Sequence, residues 1–155
     1  MIYLLWATIF FVMLILQGTI SFLHIHLNLT VLLVYYIGIK KKEVKGLLFG
    51  ACIGIIEDSL SGAFLGPNLL SKGLVGYFSS FIYKRFFIWT PLLGVISVCA
   101  FTMLDSGIVF LARTMFDSMP VPLGNAAYII VMQSLLNSLF GMAINPAELQ
   151  KDTMN

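Results

Sequence analysis

Six apolar segments separated by short connections limit the folds open to this chain more than any other feature. Hydrophobic residues make up 59% of the 155 residues and charged residues only 10%, against ~25% in ordinary soluble domains. A soluble core could not hide so much apolar surface, so lipid must be the solvent. The pattern predicts an all-α membrane protein.

We expect these segments to form a bundle of six transmembrane helices. The first, fifth and sixth are about long enough to cross ~30 Å of hydrocarbon, whereas the third and fourth are short. No connection could hold a soluble domain, so residues 1–155 are predicted to form a single integral membrane domain. The predicted spans are Ile2–Ile20, Leu23–Ile39, Gly46–Leu60, Leu69–Tyr83, Trp89–Leu111 and Ala126–Ile144.

The basic residues predict the orientation of the bundle. They concentrate in the connections between spans two and three and between spans four and five, which fall on one side if six helices alternate. Both termini are then cytoplasmic, and the opposite side carries only Lys72 and Arg113. The net charge of +2 is too small to suggest a nucleic-acid partner. The basic residues on the cytoplasmic side are Lys40, Lys41, Lys42, Lys45, Lys84, Arg85 and Lys151.

Two adjacent acids, Glu57 and Asp58, end the third apolar segment. Inserting a carboxylate at mid-bilayer costs ~2.5–3.5 kcal/mol, so two adjacent acids are expected to have a structural or functional role. Asp58 belongs to a ridge of residues four apart, in which small side chains let a neighbouring helix approach closely. Asp58 is therefore expected to face a neighbouring helix and not lipid. The ridge consists of Gly46, Gly50, Gly54, Asp58 and Gly62.

Turn-forming residues follow the acids and predict a hairpin between spans three and four. Gly62 and Gly66 permit a tight backbone. The hairpin could bring Lys72 to Asp58 or Glu57, and an ammonium paired with a carboxylate avoids most of the cost of lone charges. The residues placed to cap the fourth span are Asn68 and Ser71.

Three roles for the acids remain open: stabilising the hairpin through Lys72 and loop amides, docking another membrane protein, or forming a proton or ion pathway. A pathway needs further ionisable groups at depth, and only Asp105 qualifies. Gln133 and Asn137 lie one turn apart and could bond across helices, at ~0.6 kcal/mol each.

Catalytic and metal-binding patterns are absent from the sequence. There is no Ser/His/Asp set, no phosphate-binding loop and no zinc-binding HExxH motif. His24 and His26 are two residues apart, but a metal site needs a further ligand nearby. We therefore predict no enzyme activity, no cofactor and no metal.

The segment 23–78 resembles the bacterial rod shape-determining protein MreD family. An apolar span is followed by a short basic turn, a G-x-x-x-G-x-x-x-D run, an L-G pair and a further helix. The chain length and the six spans also agree with that family. The matching positions are Gly50, Gly54, Asp58, Ser61, Gly62, Leu65, Gly66 and Leu70.

The resemblance implies a non-enzymatic scaffold of the bacterial cell-wall elongation machinery in the inner membrane. Its implied partners are the membrane protein MreC and, indirectly, MreB filaments, RodA and a class B penicillin-binding protein. It also implies the six-helix architecture of the substrate-binding subunits of energy-coupling-factor transporters, with an outward-facing concavity. The expected partner surface is the Gly50/Gly54/Asp58 ridge with the 62–72 loop, unless the ridge only packs spans three and four together.

The alternative function is the substrate-binding membrane subunit of a vitamin or metabolite transporter. Such subunits often carry alanines four apart on the first span, whereas this span has Ala7 without a second alanine at that spacing. A channel or ion transporter would need more buried polar residues. The polar residues available to a ligand pocket near the outer face are His24, His26, Glu57, Asp58 and Asn68.

Overall fold

The computed structural model describes residues 2–19, 21–22, 25–41, 43–62, 65–85, 90–116 and 122–143. The predicted helical fold with six helices is confirmed. Two antiparallel strands of two residues each, β1 (Ser21–Phe22) and β2 (Ile25–His26), connect the first two helices. The helices are α1 (Ile2–Thr19), α2 (Leu29–Lys40), α3 (Glu43–Ser61), α4 (Pro67–Arg85), α5 (Pro91–Phe116) and α6 (Leu123–Ser138), which a 3₁₀ helix (Leu139–Ala143) extends.

The second helix begins at Leu29, so its predicted start at Leu23 is wrong. Asn28 caps the helix, because its side-chain oxygen accepts a hydrogen bond from the Val31 N–H at 3.3 Å. The 12 residues of α2 span only about 18 Å. Helices α3 and α4 have 19 residues each and are about 28 Å long. They are therefore longer than predicted.

Helix α2 lies at the centre of the bundle and contacts α1, α3, α4 and α5. Val31, Val34 and Tyr35 are almost fully buried, and the Tyr35 ring packs on the Phe101 ring of α5 with centroids 5.5 Å apart. A helix enclosed by protein does not have to span the hydrocarbon, because its ends are sheltered by the surrounding helices. This explains how so short a helix can be central.

The polarity of the bundle is the reverse of that of a soluble protein. Large apolar side chains such as Ile15, Phe81 and Leu111 are exposed, while Lys72 and Asp105 are buried. Lipid as solvent accounts for both observations. Among the described residues, two helical segments are long and apolar enough to cross a membrane. They are Pro91–Phe116 and Leu123–Met142.

Six crossings with cytoplasmic termini stay a prediction. Parts of several predictions lie outside the described residues, namely those concerning Ile20, Leu23, His24, Lys42, Trp89, Ile144 and Lys151.

Candidate functional site

The glycine ridge of α3 is closed inside the α3–α4 hairpin. Gly46, Gly50 and Gly54 are all buried against α4. A Cβ on Gly50 would overlap the backbone carbonyl of Lys72, and one on Gly54 would overlap that of Asn68. The ridge therefore packs α3 onto α4, and its surface is not open to the span of another protein.

Asp58 continues this ridge and caps the N-terminus of α4. Its carboxylate accepts the backbone N–H groups of Gly66 at 2.9 Å, Asn68 at 3.2 Å and Leu69 at 3.1 Å. The first N–H groups of a helix have no partner within it, and a negative charge is favourable there. The predicted cap by Asn68 or Ser71 is therefore wrong, since the cap comes from the preceding helix.

The turn between α3 and α4 depends on two glycines with positive φ. Gly62 has φ +62° and Gly66 has φ 137°. Side chains with a Cβ rarely adopt either conformation. In this conformation Gly66 donates its N–H to Asp58.

Lys72 of α4 lies at the centre of a buried charge cluster, with its side chain only 1% exposed. Its ammonium is 2.6 Å from Glu57 Oε2, 3.2 Å from Asn68 Oδ1 and 3.5 Å from Asp105 Oδ2. Of the two partners considered for Lys72 from the sequence, the structure places Glu57 beside it. Asp58 is joined only indirectly, because the Asn68 amide donates to Asp58 at 2.8 Å while its oxygen accepts from Lys72.

Asp105 of α5 extends this cluster across the bundle. Its Oδ2 accepts a hydrogen bond from Asn28 Nδ2 at 2.7 Å. Asn137 of α6 donates to the Asn28 carbonyl at 3.0 Å and to Thr102 Oγ1 at 3.3 Å. The sequence-based interpretation missed the Lys72–Asp105 pair. The available signal was that a lone acid within an apolar span needs a basic partner.

Hydrogen bonds across helices were predicted for Gln133 and Asn137, and both are confirmed. Ser106 of α5 donates to Gln133 Oε1 of α6 at 2.8 Å. Together with the bonds of Asn137, this contact ties α6 to α5 and to the start of α2.

The chain matches the family model of the rod shape-determining protein MreD over residues 1–145. The protein belongs to the MreD family. The predicted family membership is thereby confirmed, and the match extends through α5 and α6, where the sequence offered no motif. No similar curated protein and no similar solved structure was found. The protein is thus a rod shape-determining membrane protein, and its family is not a known family of enzymes.

A cavity of about 400 Å³ lies beside the charge cluster of this MreD-family protein. Gln17 at the end of α1, Asn28 before α2 and Arg113 in the last turn of α5 contribute to its wall, together with Glu57 and Lys72. These residues come from the end of the bundle opposite the lysines between α2 and α3, which is the predicted outer end.

The cluster in this protein holds helices together and carries an excess of negative charge. In their ionised forms Glu57 and Asp105 contribute −2 and Lys72 contributes +1, a sum of −1. Glu57 Oε1 and Asp105 Oδ1 are buried and have no hydrogen-bond partner among the residues that the structure describes. Within the described ranges, no group of three or more His, Cys, Asp or Glu residues could hold a metal ion.

Asp58→Ala is expected to lower the unfolding free energy of the purified protein by about 2 kcal/mol, the upper end for loss of a helix cap, because three backbone N–H groups lose their acceptor. Asp58→Asn keeps one accepting oxygen and should lose less. The measurement is thermal unfolding in detergent. Ser59→Ala is the control, because Ser59 is exposed and bonds only to a carbonyl of its own helix. Equal midpoints for Asp58→Ala and Ser59→Ala would contradict the capping role.

Proposed function

We propose that this protein is a non-enzymatic scaffold of the bacterial cell-wall elongation machinery. It binds an MreC-like membrane protein and helps to link MreB filaments to the peptidoglycan synthases, RodA and a class B penicillin-binding protein. The observation that carries the proposal is the match to the MreD family over residues 1–145. Its place is the inner membrane, as one multi-pass domain with both termini in the cytoplasm.

The distribution of polar groups supports a scaffold. The buried polar side chains bond mainly to one another and to backbone inside the bundle, and large apolar side chains cover the outside. A protein of this kind recognises partners through lipid-exposed faces and short turns. The cavity at the predicted outer end supports the proposed likeness to the substrate-binding subunits of energy-coupling-factor transporters.

The contact surface proposed here is the turn of the α3–α4 hairpin, since the glycine ridge beneath it is occupied by α4. Three leucines at this turn are more than half exposed. Exposed apolar side chains beside a turn suit the membrane-proximal part of a partner's single span. This leucine patch consists of Leu60, Leu65 and Leu70.

The test is co-purification of the MreC-like protein with the affinity-tagged chain from membranes of the host bacterium. We expect the partner to co-purify with the unmodified chain. Leu65→Ser should reduce the recovered partner about tenfold, which corresponds to ~1.4 kcal/mol. The control is Leu123→Ser, because Leu123 is exposed in the first turn of α6 and does not belong to the leucine patch.

Two outcomes separate the scaffold from its contact surface. Failure of the unmodified chain to recover any MreC-like protein would contradict the scaffold function. Equal recovery with Leu65→Ser and Leu123→Ser would leave the scaffold standing and remove the leucine patch as its contact.

A further inference from the structure

The connection between α2 and α3 concentrates positive charge at one end of the bundle. Residues 40–45 contain four lysines and one glutamate, so their net charge of +3 exceeds the +2 of the whole chain. Lys41 and Lys45 are exposed and Lys40 is half-buried, and we call these three residues the lysine cluster. The Lys40 ammonium lies 6.0 Å from the centroid of the Tyr36 ring, within the range of a cation–π contact. The charge of the lysine cluster is therefore presented at the surface.

The backbone that carries the lysine cluster is held against α4. The Ser80 hydroxyl of α4 donates to the backbone carbonyl of Lys41 at 2.9 Å and also contacts that of Gly38. Beyond Lys45, a Cβ on Gly46 would overlap the backbone carbonyl of Gly76, so α3 and α4 are in close contact there. An anion that binds these lysines does not have to order a loose segment, which lowers the entropic cost of binding.

Exposed apolar side chains of α3 lie directly beside the lysine cluster. Val44 and Leu48 are each more than half exposed, and residues four apart lie on one face of a helix. Lys45 follows Val44 in the chain and precedes Leu48 by three residues, so its side chain borders this face. The surface thus offers cations at the helix end and hydrocarbon immediately beyond them.

We propose that this surface binds a phospholipid with a negatively charged headgroup. The lipid phosphate accepts from Lys41 and Lys45, and an acyl chain lies along Val44 and Leu48. Charge complementarity selects an anion, since lysine clusters at the ends of membrane helices attract anionic lipids. The adjoining apolar face selects a lipid over a soluble anion or an acidic protein segment, because only a lipid joins a phosphate to hydrocarbon. The proposal does not depend on the scaffold function.

The first experiment measures the thermal unfolding midpoint of the purified full-length chain in an uncharged detergent. The probes are phosphatidylglycerol and phosphatidylcholine with the same acyl chains, and inorganic phosphate as the anion without hydrocarbon. We expect phosphatidylglycerol to raise the midpoint more than phosphatidylcholine at equal concentration, and phosphate to leave it unchanged. The preference for phosphatidylglycerol should shrink with added salt, because the Debye length falls from ~10 Å at 0.1 M to ~3 Å at 1 M.

Variants then locate the bound lipid. Lys41→Gln and Lys45→Gln each remove one exposed charge, and each should weaken the apparent affinity for phosphatidylglycerol about fivefold. Lys45→Arg keeps the charge and should bind like the unmodified chain. Arg113→Gln is the matched control, because it also removes one exposed positive charge, but from the last turn of α5 at the opposite end of the bundle. We expect Arg113→Gln to leave the affinity unchanged.

Three results would overturn the proposal: the two lipids shift the midpoint equally, inorganic phosphate shifts it as much as phosphatidylglycerol, or Lys41→Gln and Lys45→Gln bind phosphatidylglycerol no more weakly than Arg113→Gln does. If Lys45→Gln fails to fold, the comparison of Lys41→Gln with Arg113→Gln still decides. None of these results bears on whether an MreC-like protein co-purifies, so the two proposals fail separately.

Discussion

Gly54→Leu is expected to disrupt the α3–α4 hairpin and to abolish rod shape in cells that express only this variant. A Cβ at position 54 would overlap the backbone of Asn68 and Leu69, and backbone atoms cannot turn aside as a side chain can. Overpacking of a well-filled interface costs about 3 kcal/mol at the upper end of its usual range. That is a large share of the about 5–15 kcal/mol that holds an ordinary domain together.

Gly107→Leu is the matched control for this experiment. Gly107 also lies within a helix, but an added Cβ there meets no atom within 4 Å. The measurements are thermal unfolding in detergent, the amount of protein in the membrane, and cell shape. We expect Gly107→Leu cells to be rods. Normal rods and an intact complex with Gly54→Leu would contradict the close packing of the hairpin.

Lys72→Met is the second change with a large expected effect. It leaves Glu57 and Asp105 buried without their cation, and breaking a buried ion pair from one side costs about 3–5 kcal/mol. We expect the unfolding midpoint of the purified protein to fall steeply. The methylene chain of Met fills much of the space of Lys, so the loss should arise from charge and not from a cavity.

A double-mutant cycle tests the pairing itself. In the Lys72→Met background, Glu57→Gln and Asp105→Asn each remove an unpaired charge and should be better tolerated than in the unmodified chain. Asp58→Asn should gain less from that background, because Asp58 reaches Lys72 only through Asn68. If the Lys72→Met/Glu57→Gln variant is no more stable than the sum of the two single changes predicts, the ion pair between Lys72 and Glu57 is contradicted.

Local patterns in the sequence predicted six helices and the α3–α4 hairpin, but not the start of α2, the full lengths of α3 and α4 or the cap of α4. Residues four apart lie on one face of a helix, so the ridge from Gly46 to Asp58 could be placed against a neighbour before the neighbour was known. The start of α2 was missed because the apolar run continues on both sides of Asn28, and hydropathy outweighed the capping signal of that residue. A cap counts for more than apolar character at a helix start.

The wider polar network could not be predicted from local patterns. Lys72 and Asp105 are 33 residues apart, and Asn28 and Asn137 are 109 apart. Whether such pairs meet depends on the rotation of α2, α5 and α6 about their axes in the folded bundle. Apolar residues flank each of these polar residues in the sequence, so the local pattern does not indicate that rotation. From the sequence, both Glu57 and Asp58 were considered as partners for Lys72. Adjacent residues of a helix point about 100° apart, and the sequence does not show which of the two directions faces α4. Packing of the hairpin decides between them.

The orientation of the bundle in the membrane is the claim on which the outer cavity, the leucine patch and the partner contacts all depend. It is tested most directly by thiol labelling with a membrane-impermeant reagent in a Cys52→Ala/Cys99→Ala background. Leu65→Cys places an exposed thiol at the α3–α4 turn, and Lys41→Cys places one between α2 and α3. We predict labelling of Leu65→Cys in intact cells and of Lys41→Cys only after lysis. Labelling of Lys41→Cys in intact cells, with Leu65→Cys protected until lysis, would contradict the account.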